Sequence, residues 1–419
     1  MFTPKKIMKR NNLRILLLVF VLILTDIYAF KGIQYVANIS ENRSLKTILY
    51  TLYWSFSIML YVGIVITAIN FKSKSRSRKF ISFAYTLFGL LILNLIPKLF
   101  FVFFQAINDV SLFLLKITSK NNFSIIHFTF FTKIGIVVWA FLFFAILYGI
   151  LFGKFNFKVR KQILAFEHLP LAFDGLKILQ ISDIHIGSFN HRYKKLEKAI
   201  RLINKQNADF VFFTGDLVNN YASETDGWSS TLSSIKAKNG KYSILGNHDY
   251  GDYGPFDSEE EKTKNLETLK KFHHEIGFKL LLNESVNIEK KGEFISLIGV
   301  ENWGKPPFKQ YGDLKKAMEN VPKNNFQLLL SHDPSHWDLE VLNNTKIDLT
   351  LSGHTHGMQF GFKIGNLQWS PVKMRYPRWG GLYKVGKQFL YVNRGLGFIG
   401  FPGRVGMSPE ITVIELKKK

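Results

Sequence analysis

His354 and His356 stand one residue apart in the stretch LSGHTHGMQFG, residues 351–361. On a strand, positions i and i+2 face the same side, so the two imidazoles can aim at one point. Four other clusters of metal-compatible side chains precede them. These are Asp183 with His185, Asp216 after Gly215, Asn247, His248 and Asp249 after Gly246, and His332 with Asp333. Oxygen and imidazole donors of this kind suit Mn, Fe, Zn or Co. The chain has no cysteine, which excludes disulfides and thiolate ligands and fits a reducing compartment. So many donors are too many for one tetrahedral ion. They suit two divalent ions sharing a bridging carboxylate, with positions left open for water and substrate.

The elements that must position these residues are legible as short apolar runs. Strands are expected over 176–183, 208–216, 240–249, 293–301, 326–333, 347–355, 388–395 and 410–416, with helices over 191–206 and 259–276. Five of those strands finish in one of the polar clusters. In open α/β sheets ligands bind at the carboxyl ends of strands, so five such ends imply one convergent site. The glycines at 215, 246 and 353 are expected to let the backbone turn sharply there.

In this order, D-x-H, G-D, G-N-H-D, a lone His after a strand and G-H-x-H resemble the calcineurin-like metallophosphoesterase superfamily. The motifs cover roughly 175–356. The tail RGLGFIGFPGRVGMSPEITVIEL resembles the end of a bacterial membrane-associated branch and extends the likeness to about 416. The resemblance implies an α/β fold, a two-sheet αββα sandwich, that hydrolyses a phosphoester, phosphodiester or pyrophosphate with a hydroxide bridging two divalent ions. It implies that Asp183, His185 and His356 hold the first ion, that Asn247, His332 and His354 hold the second, and that Asp216 bridges them. His248 matches the histidine that faces the phosphoryl group without binding metal, and is the catalytic candidate. Asp249 stands where the family often has Glu and carries no expected role.

The first 155 residues have a different character. Of the 55 Lys and Arg and 31 Asp and Glu in the chain, residues 1–155 hold 18 and 3, leaving 37 and 28 for residues 156–419. The basic residues of the first part sit in short clusters between long apolar runs, which marks membrane loops rather than a nucleic-acid surface. A four-helix transmembrane region over 1–155 is therefore expected, with spans near 12–32, 47–71, 80–106 and 128–152, ahead of a metallophosphoesterase domain over 156–419. The first span reads as a signal anchor, because no small-x-small cleavage site follows it. Asp26 is read as lying near a helix end and Lys98 as snorkelling to the interface, rather than as a pair.

These features predict an enzyme of the bacterial inner membrane that meets the lipid bilayer and a phosphorylated, lipid-linked or amphiphilic substrate. A related branch cleaves the pyrophosphate of UDP-diacylglucosamine in lipid A synthesis, which names one such substrate. A non-catalytic metal-binding scaffold and a membrane sensor are the other classes; the intact ligand positions and His248 favour catalysis. Three loops stand out. YGDYGPFD (250–257) reads equally as a substrate-facing loop or a connector. Trp379 in WSPVKMRYPRWGGLY (369–383), with Phe398 and Phe401 in RGLGFIGFPGR (394–404), are candidates to touch lipid, and Arg394 and Arg404 to meet a phosphate, although core closure is the favoured reading of the second loop's apolar residues. His191, His273, His274 and His336 are expected to be ordinary surface or core histidines.

The basic clusters at Lys5–Arg14, Lys72–Lys79 and Lys154–Lys161 share one side of the membrane when four spans are threaded. A reporter fused after Lys419 is expected to read cytoplasmic. A signal from the far side would overturn the four-span count.

Overall fold

The structure, a computed structural model, describes residues 4–74, 77–118, 129–190, 194–365 and 367–419. Arg76 in the second basic cluster, Phe128 at the start of the fourth expected span, and His191 lie outside the described residues. The chain divides into two compact units, Met1–Tyr148 and Gly149–Lys419.

Among the described residues, the first unit holds the helices α1 (Pro4–Asn38), α2 (Arg43–Lys74), α3 (Arg78–Thr118) and α4 (Phe130–Leu151), the last of which runs on into the second unit. Their apolar stretches, Leu16–Asn38, Arg43–Phe71, Lys79–Thr118 and Phe130–Phe155, are long enough to cross a bilayer. Helices suit that environment because every backbone group is satisfied within the segment. The expected readings of Asp26 and Lys98 are overturned. Asp26 sits in the middle of its apolar stretch, and Lys98 Nζ donates to Asp26 Oδ1 at 2.7 Å. Both side chains are buried. Lys98 also donates to Ser57 Oγ at 3.2 Å, Tyr61 Oη donates to the Asp26 carboxylate, and Tyr53 Oη donates to the Asp26 carbonyl at 2.8 Å. Charge that cannot reach water is tolerated when it is paired and its remaining donors and acceptors are filled. The cluster draws one group from α1, three from α2 and one from α3, so it fixes how those three helices meet.

The second unit is a sandwich. Its first sheet is ordered β1 (Lys158–Phe166), β14 (Glu410–Lys418), β2 (Lys177–Ile181), β3 (Phe210–Phe213), β4 (Gly240–Ser243), β5 (Lys279–Leu280). The second is ordered β12 (Gly381–Val385), β13 (Gln388–Val392), β9 (Leu349–Ser352), β8 (Phe326–Leu330), β7 (Glu293–Gly299), β6 (Glu284–Lys290). A separate hairpin pairs β10 (Phe362–Ile364) with β11 (Leu367–Trp369). Helices α5 (Lys195–Asn204), α6 (Ser229–Ser233), α7 (Glu259–Glu275) and α8 (Leu314–Ala317) complete the unit.

Strand period sorts the core. Phe210 and Phe212 of β3 join Phe326, Leu328 and Leu330 of β8 between the sheets. Val211 and Phe213 face the other way, onto Leu196 and Ile200 of α5 and Leu269 and Phe272 of α7. Leu329 of β8 points outward to Trp337 and Val341. With both faces covered, β3 is an unbroken apolar run, FVFF, and β8, FQLLL, is interrupted only by Gln327. β2, β3 and β4 are parallel, as are β7, β8, β9 and β13. Gln180 of β2 reaches across to the Ser352 carbonyl at the end of β9, at 2.9 Å. The carboxyl ends of the two parallel sets therefore share one edge of the sandwich.

Removing one partner of the Asp26–Lys98 pair leaves a buried charge unpaired. Asp26→Asn and Lys98→Met are each expected to destabilise the membrane unit by about 3–5 kcal/mol, and the double variant by much less than the sum. Unfolding of the four forms in detergent measures the cycle. Strict additivity would mean that the two groups do not depend on each other.

Candidate metal centre

Every expected ligand lies within a few residues after a strand, at the shared edge. Asp183 and His185 follow β2, Asp216 follows β3, Asn247 follows β4, His332 follows β8, and His354 and His356 follow β9. Five of the seven have a left-handed backbone: φ is 49° at Asp183, 46° at His185, 60° at Asp216, 71° at His354 and 50° at His356. Non-glycine residues enter that region at a cost, and such strain persists only where surrounding bonds over-determine it. Here Asp183 N donates to the Gly215 carbonyl, His185 N to the Asp216 carbonyl, and His354 N to the Asp183 carboxylate. Of the three glycines expected to turn sharply, only Gly215 has a positive φ, 91°. Gly246 and Gly353 are needed for close approach: a Cβ at Gly353 would strike Ser182 Oγ and the Asp183 carboxylate.

Two groups of ligand atoms result, each within 4.8 Å of one another: Asp183, His185, Asp216 and His356, and Asp216, His332 and His354. Asp216 belongs to both. His356 Nε2 is 3.1 Å from Asp183 Oδ1 and 3.1 Å from His185 Nε2. Asn247 Oδ1 joins the second group, 2.8 Å from His354 Nδ1. Hydrogen bonds orient the rings. His185 Nδ1 donates to the Val218 carbonyl at 3.1 Å and His332 Nδ1 to the Thr214 carbonyl at 2.6 Å, which leaves each Nε2 with its lone pair facing inward. Tyr376 Oη lies 2.8 Å from His354 Nε2, which leaves Nδ1 as the nitrogen turned toward Asn247 Oδ1.

The donor set fits divalent cations. His332 Nε2 lies 3.1 Å from Asp216 Oδ2, so a neutral ring would set a lone pair against a carboxylate. A cation resolves that conflict. Without one the ring must hold a proton: burial opposes this, but Asp216 and Asp183 raise its pKa to about 10. Burial alone would raise Asp183 and Asp216, yet the surrounding histidines, His356 first for Asp183 and His332 first for Asp216, hold both below the usual carboxylate range. Both carboxylates are therefore ionised and available.

His248 is half-buried beside the two groups. Its Nδ1 donates to the Asn219 carbonyl at 2.7 Å, and its backbone N–H donates to Asp216 Oδ1 at 2.9 Å. Its ring packs edge-on to His185 at 5.0 Å.

Several residues of the site carried no expected role. Asp249 is fully buried, and its carboxylate accepts from the N–H groups of Gly246, Asp216, Leu217 and Val218 at 2.8–3.2 Å. It shapes the turn that carries Asp216; its place directly after Asn247 and His248 was the available signal. Burial and the Asp216 charge push its pKa up to about 7. The 250–257 loop is more than a connector, because Tyr253 Oη accepts from Asn247 Nδ2 at 2.9 Å. Trp379, Phe398 and Phe401 are buried, which overturns their reading as lipid contacts and agrees with core closure at 398–401. Arg394 binds Glu410 at 2.6 Å, and Arg404 donates to the carbonyls of Arg394, Gly395, Gly397 and Met407. Neither is available to a phosphate. His273 and His336 are core histidines bonded to Ser243 and Ser331, while His274 is exposed.

A family model described as "Calcineurin-like phosphoesterase" matches residues 176–358, and one described as "Probable Calcineurin-like phosphoesterase, transmembrane domain" matches residues 12–154. The chain is 33% identical over 255 residues to "Uncharacterized metallophosphoesterase YkuE" of Bacillus subtilis (strain 168), covering 59% of this chain and 82% of that protein. This chain belongs to the calcineurin-like metallophosphoesterases. It is 29% identical over 278 residues to "Transmembrane protein with metallophosphoesterase domain" of Danio rerio, covering 65% of this chain and 60% of that protein. It is 25% identical over 407 residues to an "Uncharacterized metallophosphoesterase" of Helicobacter pylori (strain ATCC 700392 / 26695), covering 93% of this chain and 98% of that protein. The family hydrolyses phosphoesters with divalent metal, and the Asp and His cluster of this metallophosphoesterase is built of the required donors.

Asp249→Ala would strand four buried N–H groups. The variant is expected to lose about 3 kcal/mol or more, lowering the melting midpoint by roughly 6–12 °C. Asp249→Asn, which keeps one acceptor oxygen, should fall between it and the parent. Thermal unfolding of the full chain in detergent checks the order; three equal midpoints would show that these bonds do not hold the turn.

Proposed function

We propose that this metallophosphoesterase is a membrane-anchored hydrolase with two divalent ions, Mn, Fe or Zn, working at the cytoplasmic face of a bacterial inner membrane. The observation that carries the reading is the Asp216 carboxylate, shared by two ligand groups at one sheet edge. One ion is assigned to Asp183, His185 and His356 and the other to Asn247, His332 and His354, with Asp216 common to both. When bound, the ions supply Lewis acidity to a phosphoryl group and acidify a water molecule.

The protein's own residues do the rest. Carbonyl and hydroxyl partners fix the ring orientations of His185, His332 and His354, so the donor atoms are preorganised. Asp249 and the His248 N–H hold Asp216 from its two sides. His248 is tied to the Asn219 carbonyl through Nδ1–H, so its Nε2 gives a proton to a leaving oxygen, or bonds a phosphoryl oxygen, as the imidazolium, a form that burial disfavours and the Asp216 charge favours. The four apolar helices favour an amphiphilic substrate, such as a lipid-linked phosphodiester or a nucleotide-diphosphate lipid.

The test is hydrolysis by the detergent-purified chain, assayed on soluble phosphodiesters, nucleotides and phospholipids with metal content measured alongside. Asp216→Asn is expected to deplete both ions. His248→Ala is expected to keep them while lowering kcat by about 10²–10⁴. Full metal retention in Asp216→Asn would remove the bridging role. Parallel loss of metal and rate in His248→Ala would make that residue a ligand or a structural group.

A further inference from the structure

The β10–β11 hairpin, directly after the H-x-H motif, carries its polarity inside out. The register pairs Phe362 with Trp369, Lys363 with Gln368, and Ile364 with Leu367. Residues paired across strands, and those two apart along one, share a face. Phe362, Ile364, Leu367 and Trp369 therefore form one face, and Lys363 and Gln368 the other. A hairpin on a water-soluble surface turns its apolar face to the core. Here Gln368 is the half-buried member: its Oε1 accepts from Arg394 Nη2 at 2.9 Å, and its Nε2 reaches the Gly380 carbonyl at 3.4 Å. The apolar four are exposed, Ile364 at 72% and Leu367 at 63%, and Met374 beside them in sequence reaches 91%. A contiguous exposed apolar face of this kind marks a contact surface.

The covalent path says what lies beside it. All of the following contacts are internal to the second unit. Gly149 lies in the apolar stretch that ends at Phe155, and its carbonyl accepts from Arg404 N at 3.1 Å. The next residue, Val405, accepts from Gly361 N at 3.0 Å and donates to the Gln359 carbonyl at 2.8 Å. Phe362 opens β10 one residue after Gly361. The root of the hairpin is thus two hydrogen-bonded steps from the end of a membrane-spanning stretch. Cations flank it: Lys363, Lys373 and Arg375 are exposed. Behind its polar face a pocket of about 180 Å³ is lined by Arg160, Lys363, Gln368 and Arg394, and Glu410 is the carboxylate paired with Arg160 and Arg394. Aromatic and aliphatic side chains backed by Lys and Arg match the headgroup boundary of an anionic leaflet.

We propose that the apolar face of the β10–β11 hairpin inserts into the headgroup boundary of the bilayer, with its flanking cations on anionic lipid, giving the catalytic unit a second membrane contact beyond its helical anchor. This goes beyond the hydrolase reading and does not depend on the substrate. It moves the lipid contact away from Trp379, Phe398 and Phe401, onto residues the fold leaves exposed.

The absence of cysteine makes the test clean, since one introduced thiol takes one label. Full-length Ile364→Cys and Leu367→Cys, each carrying a nitroxide, are placed in nanodiscs of phosphatidylcholine with and without phosphatidylglycerol. Lys271→Cys on the exposed face of α7 is the water reference. Both hairpin labels are expected to show a several-fold higher ratio of oxygen to nickel-chelate accessibility than Lys271→Cys, rising further with the anionic lipid. Ratios equal to the reference would overturn the proposal. So would dipolar broadening between Ile364→Cys labels, which would assign the face to a second copy of the chain. A raised ratio indifferent to phosphatidylglycerol would overturn its anionic part.

Discussion

The Asp216 carboxylate must stay ionised among lone pairs that repel it, within hydrogen-bond distance of a histidine whose other nitrogen is already committed. The surrounding architecture answers that constraint. Two parallel strand sets deliver their carboxyl ends to one edge, so seven donors arrive from five strands without a long loop. A turn held by four N–H groups on Asp249 carries Asp216 itself. Left-handed φ at five ligand positions is the local cost of aiming side chains inward from strand ends. The rigid apolar layers behind them supply the stiffness that keeps those conformations occupied.

The same constraint explains what could be read from the sequence. β2, β3, β8 and β9 are covered on both faces, so they appear as runs such as FVFF and FQLLL, and the polar cluster after each run marks its end. Edge strands lack that signature. β6, ESVNIEK, buries only Ile288, β12, GLYKV, buries none of its residues, and neither carried an apolar run to announce it. The Asp and His residues that the fold gathers at one edge were legible because metal chemistry restricts residue choice. Asp249 was not, because a carboxylate serving backbone N–H groups has the same letter as one serving a metal.

Burial of individual side chains was the least legible property. Trp379 and Met374 lie in one aromatic and basic stretch, yet Trp379 is 2% exposed and Met374 is 91% exposed. Composition treats them alike; tertiary packing separates them. Asp26 and Lys98 are 72 residues apart, and only the packing of α1 against α3 makes a 2.7 Å pair from two isolated charges. An isolated intramembrane charge snorkels when it can. Lys98 has no such need, since Asp26, Ser57 and the ring of Tyr53 at 4.2 Å surround its ammonium.

The 395–405 loop connects these scales within the catalytic unit. Gly397 N donates to the Asp183 carbonyl at 2.8 Å, so the loop lies against the backbone of a ligand. Arg404 anchors the loop to itself through the Gly397 carbonyl and brings Nη2 to 3.3 Å from His356 Nδ1. On its other side Lys154 donates to the Pro402 carbonyl at 2.9 Å, and Phe155 packs edge-on to Phe398 at 6.4 Å. The residues that leave the membrane and the residues that line the metal-binding groups are therefore packed on one loop. Because interiors are close-packed and transmit displacement, the stretch from Gly149 to Phe155 acts as part of the catalytic unit's own framework. A cut at residue 156, where composition changes, would leave Phe398 packed on Phe189 at 5.6 Å but would remove Phe155 and the Lys154 bond to the Pro402 carbonyl, two of the contacts that hold the loop behind His356.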